Sequence, residues 1–117
     1  MGSTIPETYI KRGRIYLTQN QYSNAENDLT KATVLDPQDP AAWFFLGFAQ
    51  ACNNKLQISL DAFNTCIKLN PEIPDAWLYR GYAKWLLNNK VDAESDFNKA
   101  LQLKPEYKET ISGFKGS

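Results

Sequence analysis

The sequence has 117 residues, in which 13 lysines and arginines balance 13 aspartates and glutamates, and histidine is absent. This length fits one small domain, and the neutral balance excludes a broad attraction to nucleic acid or to an anionic membrane surface. Without histidine the chain lacks the usual acid–base residue near neutral pH and the commonest metal ligand, so catalysis, metal binding and cofactor use are not expected.

The sequence predicts neither a membrane span nor a signal peptide. No apolar run approaches the roughly 20 residues that span a bilayer, and the first residues do not form a signal-peptide pattern. We therefore expect a soluble, cytoplasmic chain without direct membrane insertion. Residues 1–5, together with Gly116 and Ser117, have the composition of a tag, and residues 1–5 are expected to be disordered.

A repeat of 34 residues organises most of the chain, because Pro37, Pro71 and Pro105 are separated by this same step. At further positions similar residues recur at the same spacing of 34, and each such set of three is called a column. These columns are Tyr9, Trp43 and Trp77; Gly13, Gly47 and Gly81; Asn20, Asn54 and Asn88; Ala25, Ser59 and Ala93; Leu29, Phe63 and Phe97. A fixed period of this length is typical of stacked helical hairpins, each of which buries its open apolar face against the next. The sequence therefore predicts an all-α solenoid.

Each repeat unit is predicted to be a pair of amphipathic helices. The units cover residues 6–39, 40–73 and 74–107. A proline opens each first helix, where a missing N–H costs little, and asparagine interrupts the apolar spacing between the helices. Another proline just beyond each second helix prevents its continuation. The opening prolines are Pro6, Pro40 and Pro74.

The tail after the third unit, residues 108–117, also has a helical pattern. Tyr107, Ile111 and Phe114 recur with helical spacing among polar residues. The tail either begins a fourth unit or forms a short C-terminal capping helix over the third. Lys115 falls in the glycine column, which favours the capping helix.

The glycine column indicates a close approach between the two helices of each hairpin. Without a Cβ at Gly13, Gly47 or Gly81, the first helix can come close to the second, whose column of small residues is expected to face it. The glycine and proline columns are therefore predicted to be structural.

The two cysteines are predicted to be free thiols. If Cys52 ends a first helix and Cys66 lies late in the returning helix, an offset of about nine residues at 1.5 Å each separates them by more than ~10 Å. A disulfide requires Cα atoms within about 7 Å of each other.

The outer units differ from the middle unit in a correlated way. Arg12 and Arg80 precede the glycine of the outer units, whereas Leu46 precedes that of the middle unit. The second helices change in parallel: Glu26 and Asp28, and Glu94 and Asp96, stand in the outer units where Leu60 and Ala62 stand in the middle one. Because a partly buried guanidinium without a carboxylate is costly, each arginine is predicted to pair with an acid of its own unit. The alternative is that the arginines and acids are separate surface charges, and that their joint occurrence in the outer units is a coincidence.

These columns resemble the tetratricopeptide repeat. The family pattern is Trp-x2-Leu-Gly-x2-Tyr, then Ala-x3-Phe-x2-Ala, then Pro. It is matched by Trp43, Leu46, Gly47, Phe63 and Pro71 in the second unit, by Trp77, Gly81, Ala93, Phe97, Ala100 and Pro105 in the third, and by Tyr9, Gly13, Tyr16, Ala25, Ala32 and Pro37 in the first. The resemblance implies a right-handed superhelix of three hairpins that binds a protein or peptide without catalysis.

The resemblance also places a concave groove along the first helix of each unit. Its lining is predicted to be Glu7, Ile10, Lys11, Arg14 and Leu17, then Ala41, Phe44, Phe45, Phe48 and Ala51, then Asp75, Leu78, Tyr79, Tyr82 and Trp85. The candidate binding residues among them are Ile10, Arg14, Leu17, Phe44, Phe45, Phe48, Leu78, Tyr79, Tyr82 and Trp85. Six of these are aromatic, and six half-exposed rings would form a patch of a few hundred Å², which usually marks an interface. Tyr79, Tyr82 and Trp85 are predicted to be the anchors.

An apolar or amphipathic segment of a partner protein, helical or extended, suits such a groove. Another use of this family is a clamp for the acidic C-termini of heat-shock chaperones, built from lysines, asparagines and an arginine. The corresponding positions here are Ile10, Arg14, Phe45, Asp75 and Tyr79. Because Arg14 is the one positive group and Asp75 would repel a carboxylate, this clamp is disfavoured.

Two other functions stay open from the sequence. A second copy of the chain could dock on the apolar concavity through the segment from Tyr107 to Phe114, giving a homo-oligomer. The three units could also be part of a longer architectural solenoid.

Sequence-specific binding of RNA is not expected. Helical repeats that bind RNA need a basic surface, and the neutral net charge of this chain argues against one.

Overall fold

The structure, a computed structural model, describes residues 4–116, which form seven α-helices and one short 3-10 turn. The helices are α1 (Thr4–Thr18), α2 (Tyr22–Leu35), α3 (Pro40–Cys52), α4 (Leu56–Leu69), α5 (Pro74–Leu86), α6 (Lys90–Leu103) and α7 (Lys108–Gly116). The 3-10 turn, Pro105–Tyr107, joins α6 to α7. Within residues 4–116 no helix is both long and apolar enough to cross a membrane.

The helices pack as three consecutive hairpins, α1 with α2, α3 with α4, and α5 with α6. Neighbouring hairpins meet through α2 and α3 and through α4 and α5. The molecule is elongated, with extents of 44 × 26 × 22 Å, as expected when each unit contacts only its neighbours. The predicted all-α solenoid of helical hairpins is confirmed.

The two helices of each hairpin are joined by a tight turn that has one asparagine in the left-handed conformation. Asn20, Asn54 and Asn88 have φ angles of 59°, 61° and 68°. Asparagine tolerates this region better than most residues with a Cβ, because its short polar side chain can hydrogen-bond locally. In the middle turn, the Lys55 N–H then donates to the carbonyl of Gln50 at 2.8 Å. The asparagine column therefore produces the chain reversals that the sequence predicted.

Proline lies in the first turn of each first helix. Pro40 and Pro74 begin α3 and α5. Helix α1 begins at Thr4, two residues before Pro6, so Thr4 and Ile5 are already helical although the sequence predicted a disordered start there. The rest of that start, residues 1–3, lies outside the described residues.

The tryptophan column has a role that its periodicity did not reveal. The indole Nε1–H of Trp43 donates to the carbonyl of Pro37 at 2.9 Å, and that of Trp77 donates to the carbonyl of Pro71 at 2.8 Å. Each bond links the loop between two units to the first helix of the following unit. The indole thus fixes the connection between units as well as filling space.

The helices of each hairpin come too close to accept a side chain at the glycine column. A Cβ on Gly13 would lie 2.7 Å from Cγ of Leu29, and a Cβ on Gly47 would lie 2.9 Å from the Phe63 ring. The predicted close approach is confirmed, but the nearest neighbours are the large residues of the leucine–phenylalanine column, not the small ones expected. Each glycine therefore makes room for a large buried side chain.

Both predicted arginine–carboxylate pairs are present. Arg12 donates to Asp28 through Nε at 2.6 Å and through Nη2 at 2.8 Å. Arg80 donates to Asp96 through the same two nitrogens at 2.9 and 2.7 Å. This bidentate geometry is specific to arginine. The hydrogen bonds and negative charge of Asp28 raise the pKa of the Arg12 guanidinium above its ordinary value.

The other acid of each outer unit pairs with a lysine of a neighbouring element. Glu26 accepts from Lys55 at 3.0 Å, which links the first hairpin to the second. Glu94 accepts from Lys115 at 2.5 Å, which links α6 to α7. The two acids of each outer unit therefore have separate structural roles.

The two cysteines are free thiols, as predicted. Cys52 is exposed at the end of α3, whereas Cys66 is buried in α4. Burial raises the pKa of the Cys66 thiol to about 11, and the negative charge of Asp39 adds to this increase. Neighbouring groups also shield the exposed Cys52 thiol in part from water, and this desolvation raises its pKa.

We expect the two thiols to react with iodoacetamide on well-separated timescales. Cys66 combines a raised pKa with burial, so its alkylation must wait for local opening and should be at least about a hundredfold slower than that of Cys52. Mass spectrometry of the wild type and of Cys52→Ser at mildly alkaline pH measures both rates. Similar rates for the two thiols in the native protein would contradict the burial of Cys66.

Candidate functional site

An open cleft crosses the first helices of the three hairpins. Its volume is about 640 Å³. We call it the aromatic cleft, and it is lined by Lys11, Arg14, Ile15, Leu17 and Thr18 of α1, Phe44, Phe45 and Phe48 of α3, and Asp75 and Tyr79 of α5. Four of these side chains are aromatic, so the cleft combines rings with a few charged groups.

The rings of the cleft hold one another in fixed orientations. Phe48 meets Tyr79 edge to face, with centroids 5.0 Å apart, and Phe44 meets Phe45 in the same way at 5.1 Å. Phe44 is itself buried and lies 6.0 Å from the core residue Phe63. The half-buried rings of Phe45, Phe48 and Tyr79 therefore rest on the core, and a ligand would meet a preorganised surface.

The structure divides the ten predicted binding residues into three groups. Those that line the aromatic cleft are Arg14, Leu17, Phe44, Phe45, Phe48 and Tyr79. Ile10 and Leu78 are buried, so their side chains belong to the core and not to an open surface. Tyr82 and Trp85 lie outside the cleft. The sequence placed six rings in one hollow, whereas the structure brings four of them together.

Helix α7 contacts the two remaining rings, both of which stay half-buried. Phe114 stacks on Tyr82, with centroids 3.9 Å apart and planes inclined by 14°, and lies 6.2 Å from the ring of Tyr79. Nζ of Lys115 lies 5.8 Å from the centroid of Trp85. The tail is thus the predicted capping helix, and of the three predicted anchors only Tyr79 reaches the open cleft.

Two residues of the cleft, Ile15 and Thr18, were missed from the sequence. Ile15 is 54% exposed, whereas Ala49 and Ala83, which share its column, are buried. In the described residues no hairpin precedes α1, so this face of α1 remains open. The sequence feature that could have indicated this exposure is Ile15 itself, because it is a large residue in a column that otherwise contains alanine.

A second cavity, of about 190 Å³, adjoins the aromatic cleft between α3 and α5. Phe48 and Tyr79 line both spaces, and the predicted binding residue Tyr82 lines the second one. The rest of the second cavity is mostly apolar and includes Leu56 and Leu86. Because Phe48 and Tyr79 lie between the two spaces, a change at either ring alters both.

Three charged groups of the cleft have no ionic partner. Lys11 and Arg14 of α1 and Asp75 of α5 take part in no ion pair within residues 4–116. The guanidinium carbon of Arg14 lies 4.9 Å from the centroid of Phe45, within cation–π range. Burial, followed by the charge of Asp75, raises the pKa of Tyr79, so its hydroxyl stays protonated near neutral pH and can donate a hydrogen bond.

Sequence models of two repeat families match the chain. One, described as TPR repeat, covers residues 13–54, and the other, described as tetratricopeptide repeat, covers residues 49–108, which is more than half of the chain. The chain belongs to the tetratricopeptide repeat family. Tetratricopeptide repeats are in general protein-interaction modules. Comparison with curated proteins gave no match.

Solved tetratricopeptide repeat structures share the fold. The first repeat domain of Spaghetti (RPAP3), bound to the HSP90 peptide SRMEEVD, gives a TM-score of 0.91 at 24% identity, over 97% of this chain and 90% of that one. MamA gives 0.82 at 28% identity, over 86% of this chain and 58% of MamA. The Yersinia enterocolitica type III secretion translocator chaperone SycD gives 0.85 at 18% identity, over 97% and 88%. These likenesses establish the architecture.

Proposed function

We propose that this tetratricopeptide repeat protein binds an apolar or amphipathic segment of a partner protein in the aromatic cleft. The observation that supports the proposal is an open cleft of about 640 Å³ whose rings are fixed on the core. Concave sites of about 300–1,000 Å³ that are lined mainly by apolar and aromatic side chains, with a few polar groups, are typical ligand-binding sites. A short peptide or one face of a helix has the size and chemistry to cover these rings.

The half-buried rings of Phe45, Phe48 and Tyr79 are expected to supply most of the binding energy. Each ring is already half-buried, so a ligand covers only the part that still faces the cleft. At about 25 cal/mol per Å², covering this remaining apolar surface contributes on the order of 3 kcal/mol, before the partner's own surface is added and the cost of association is subtracted. The cleft is therefore large enough to hold a short segment.

Docking of a second copy through the tail has little basis in the structure. Ile111 is buried, and Phe114 is stacked on Tyr82 of its own chain. The segment from Tyr107 to Phe114 would have to leave these contacts before it could enter another molecule's cleft. A foreign segment therefore suits the open cleft better.

A clamp for an acidic C-terminus also fits the cleft poorly. Of the five positions that such a clamp uses, Ile10 is buried, Phe45 and Tyr79 are aromatic, and Asp75 is negative. Arg14 is the single cation of the set, and it lies over the Phe45 ring. The HSP90 peptide bound to the first repeat domain of Spaghetti is therefore a useful specificity control for this chain.

Replacing Phe48 by alanine should weaken binding at least about tenfold, because a central aromatic group dominates the energy of a small interface. The probe is a fluorescein-labelled peptide, selected on the wild-type protein from a random display library of about 14 residues. Fluorescence anisotropy gives its Kd for the wild type and for Phe48→Ala. The HSP90 peptide SRMEEVD should compete at least about tenfold less well than the selected peptide.

Val34→Ala is the matched control, because Val34 lies on α2, is 74% exposed and does not line the aromatic cleft. It should bind the probe as the wild type does. Circular dichroism at the assay temperature verifies that both variants are folded. An unchanged Kd for folded Phe48→Ala, or a loss of the same size in Val34→Ala, would refute the cleft as the binding site.

A further inference from the structure

The charged groups of the aromatic cleft that form no ion pair indicate the orientation of a bound segment. We propose that the partner segment is an amphipathic helix with an acidic first turn over α1, a basic last turn over α5, and an apolar face on the rings between them. This inference rests on the proposed function, to which it adds the charge pattern and the orientation of the partner.

The first argument is the position of the charged groups in the cleft. Within residues 4–116, Lys11, Arg14 and Asp75 take part in no ion pair, and all three line the aromatic cleft. The cations lie on one wall and the anion on the opposite wall, so the complementary ligand has an acidic end and a basic end.

The second argument is the position of Arg14 relative to the rings. Its guanidinium lies 4.9 Å from the centroid of Phe45, which fixes a cation at the edge of the apolar surface. A carboxylate that bonds this guanidinium must therefore come from the residue next to the apolar face of the ligand. Lys11, on the same helix, can share the same carboxylate or bind a neighbouring one.

The third argument concerns distance. Helix α3 lies between α1 and α5 and contacts both. Packed helices have axes about 8–10 Å apart, so the axes of α1 and α5 are at most roughly 16–20 Å apart. An α-helix rises 1.5 Å per residue, so about 11–13 residues span this distance. One short helix can therefore place an acid near Arg14 and a base near Asp75.

Helix energetics then decide which end carries which charge. Acidic side chains near an N-terminus and basic side chains near a C-terminus both stabilise a helix through its dipole. A segment with an acidic start and a basic end is already more helical when free, so it loses less entropy on binding. The charge pattern that stabilises the helical segment also matches the charges of the cleft only when the N-terminus of the segment lies over α1.

Display selection followed by double-mutant cycles tests this proposal. Peptides of about 14 residues, selected on the wild-type protein, should carry an acid in the first turn, apolar residues at helical spacing, and a base in the last turn. Replacing the acid by glutamine should weaken binding to the wild type about tenfold, but less than about twofold to Lys11→Gln/Arg14→Gln. Replacing the base by glutamine should weaken binding to the wild type about fivefold, but less than about twofold to Asp75→Asn.

The outcomes separate this inference from the proposed function. If no peptide is enriched over a Phe48→Ala target, the function fails. If apolar peptides are enriched without ordered charges, or the cycles show no coupling, the function stands and this inference fails. Coupling of a C-terminal acid to Arg14 would overturn the orientation. Asparagine keeps the size of Asp75, glutamine removes the charge of the exposed Lys11 and Arg14 while keeping a polar side chain, and circular dichroism checks that the variants fold.

Discussion

Phe63→Ala should destabilise the protein by about 3–5 kcal/mol, the range for removing a fully buried aromatic side chain. Phe63 is 0% exposed, packs over Gly47, and lies 6.0 Å from Phe44 beneath the aromatic cleft. Alanine would leave a cavity where the two helices of the middle hairpin meet. Because both outer hairpins stack on the middle one, the whole chain should lose stability together. Urea denaturation followed by circular dichroism measures the change.

Two companion variants make this result specific. Phe63→Leu introduces the residue that the first unit has in this column, where Leu29 is fully buried against Gly13, and should cost only about 1–1.5 kcal/mol. Ile58→Ala removes an exposed apolar side chain from the same helix and should change stability by less than about 0.5 kcal/mol. A loss below about 1 kcal/mol for Phe63→Ala would show that the site is not a packed core position.

The period of the sequence predicted the fold because each column of residues reports one environment that recurs three times. Asparagine in the turns and proline in the first turns of the helices each have a local physical reason that needs no knowledge of the rest of the chain. The glycine column predicted a close approach correctly. It did not predict the partner, because Ala25 and Leu29, one helical turn apart, both face the first helix and sequence alone does not rank them.

The candidate site was harder to predict because it depends on where the repetition stops. A column places Tyr82 on the groove side of its helix, but the capping helix contacts that ring in the last unit alone. At the other end of the solenoid, the open face of α1 exposes Ile15, which no periodic argument selects. Ile10 is buried in a cluster with residues of α2 and α3, and Leu78 in a cluster with residues of α6 and α7, and a helical face pattern does not resolve this packing.

The departures from the repeat were more informative than the repeat itself. Arginine and acid occur together in the outer units and are absent together from the middle unit, and the structure shows them in contact. In the middle unit the same two positions are occupied by Leu46 and Ala62, both buried. The fold therefore accepts either an ion pair or an apolar pair at this place, and a mixture of the two should be costly.

Asp96→Ala should create that mixture and destabilise the protein by about 3 kcal/mol. Asp96 is buried and accepts from Arg80 at 2.7 Å and from Lys84 at 3.1 Å. The Arg80 side chain is only 15% exposed, so without the carboxylate its guanidinium remains poorly solvated. Asp28→Ala is the matched control, because Arg12 is 55% exposed and can return to water. It should cost only about 1 kcal/mol.

The double variant Arg80→Leu/Asp96→Ala tests whether loss of the Arg80–Asp96 ion pair causes the instability of Asp96→Ala. It reproduces in the third unit the apolar pair of the middle unit, and replacement of a buried ion pair by packed apolar groups is often neutral or stabilising. We expect its stability to lie within about 1 kcal/mol of the wild type, well above that of Asp96→Ala alone, because the remaining Lys84 can extend to solvent. Urea denaturation of Arg80→Leu, of Asp96→Ala and of the double variant gives the three stability changes of a double-mutant cycle. If the double variant is as unstable as the sum of the singles, the ion pair does not explain why arginine and acid change together.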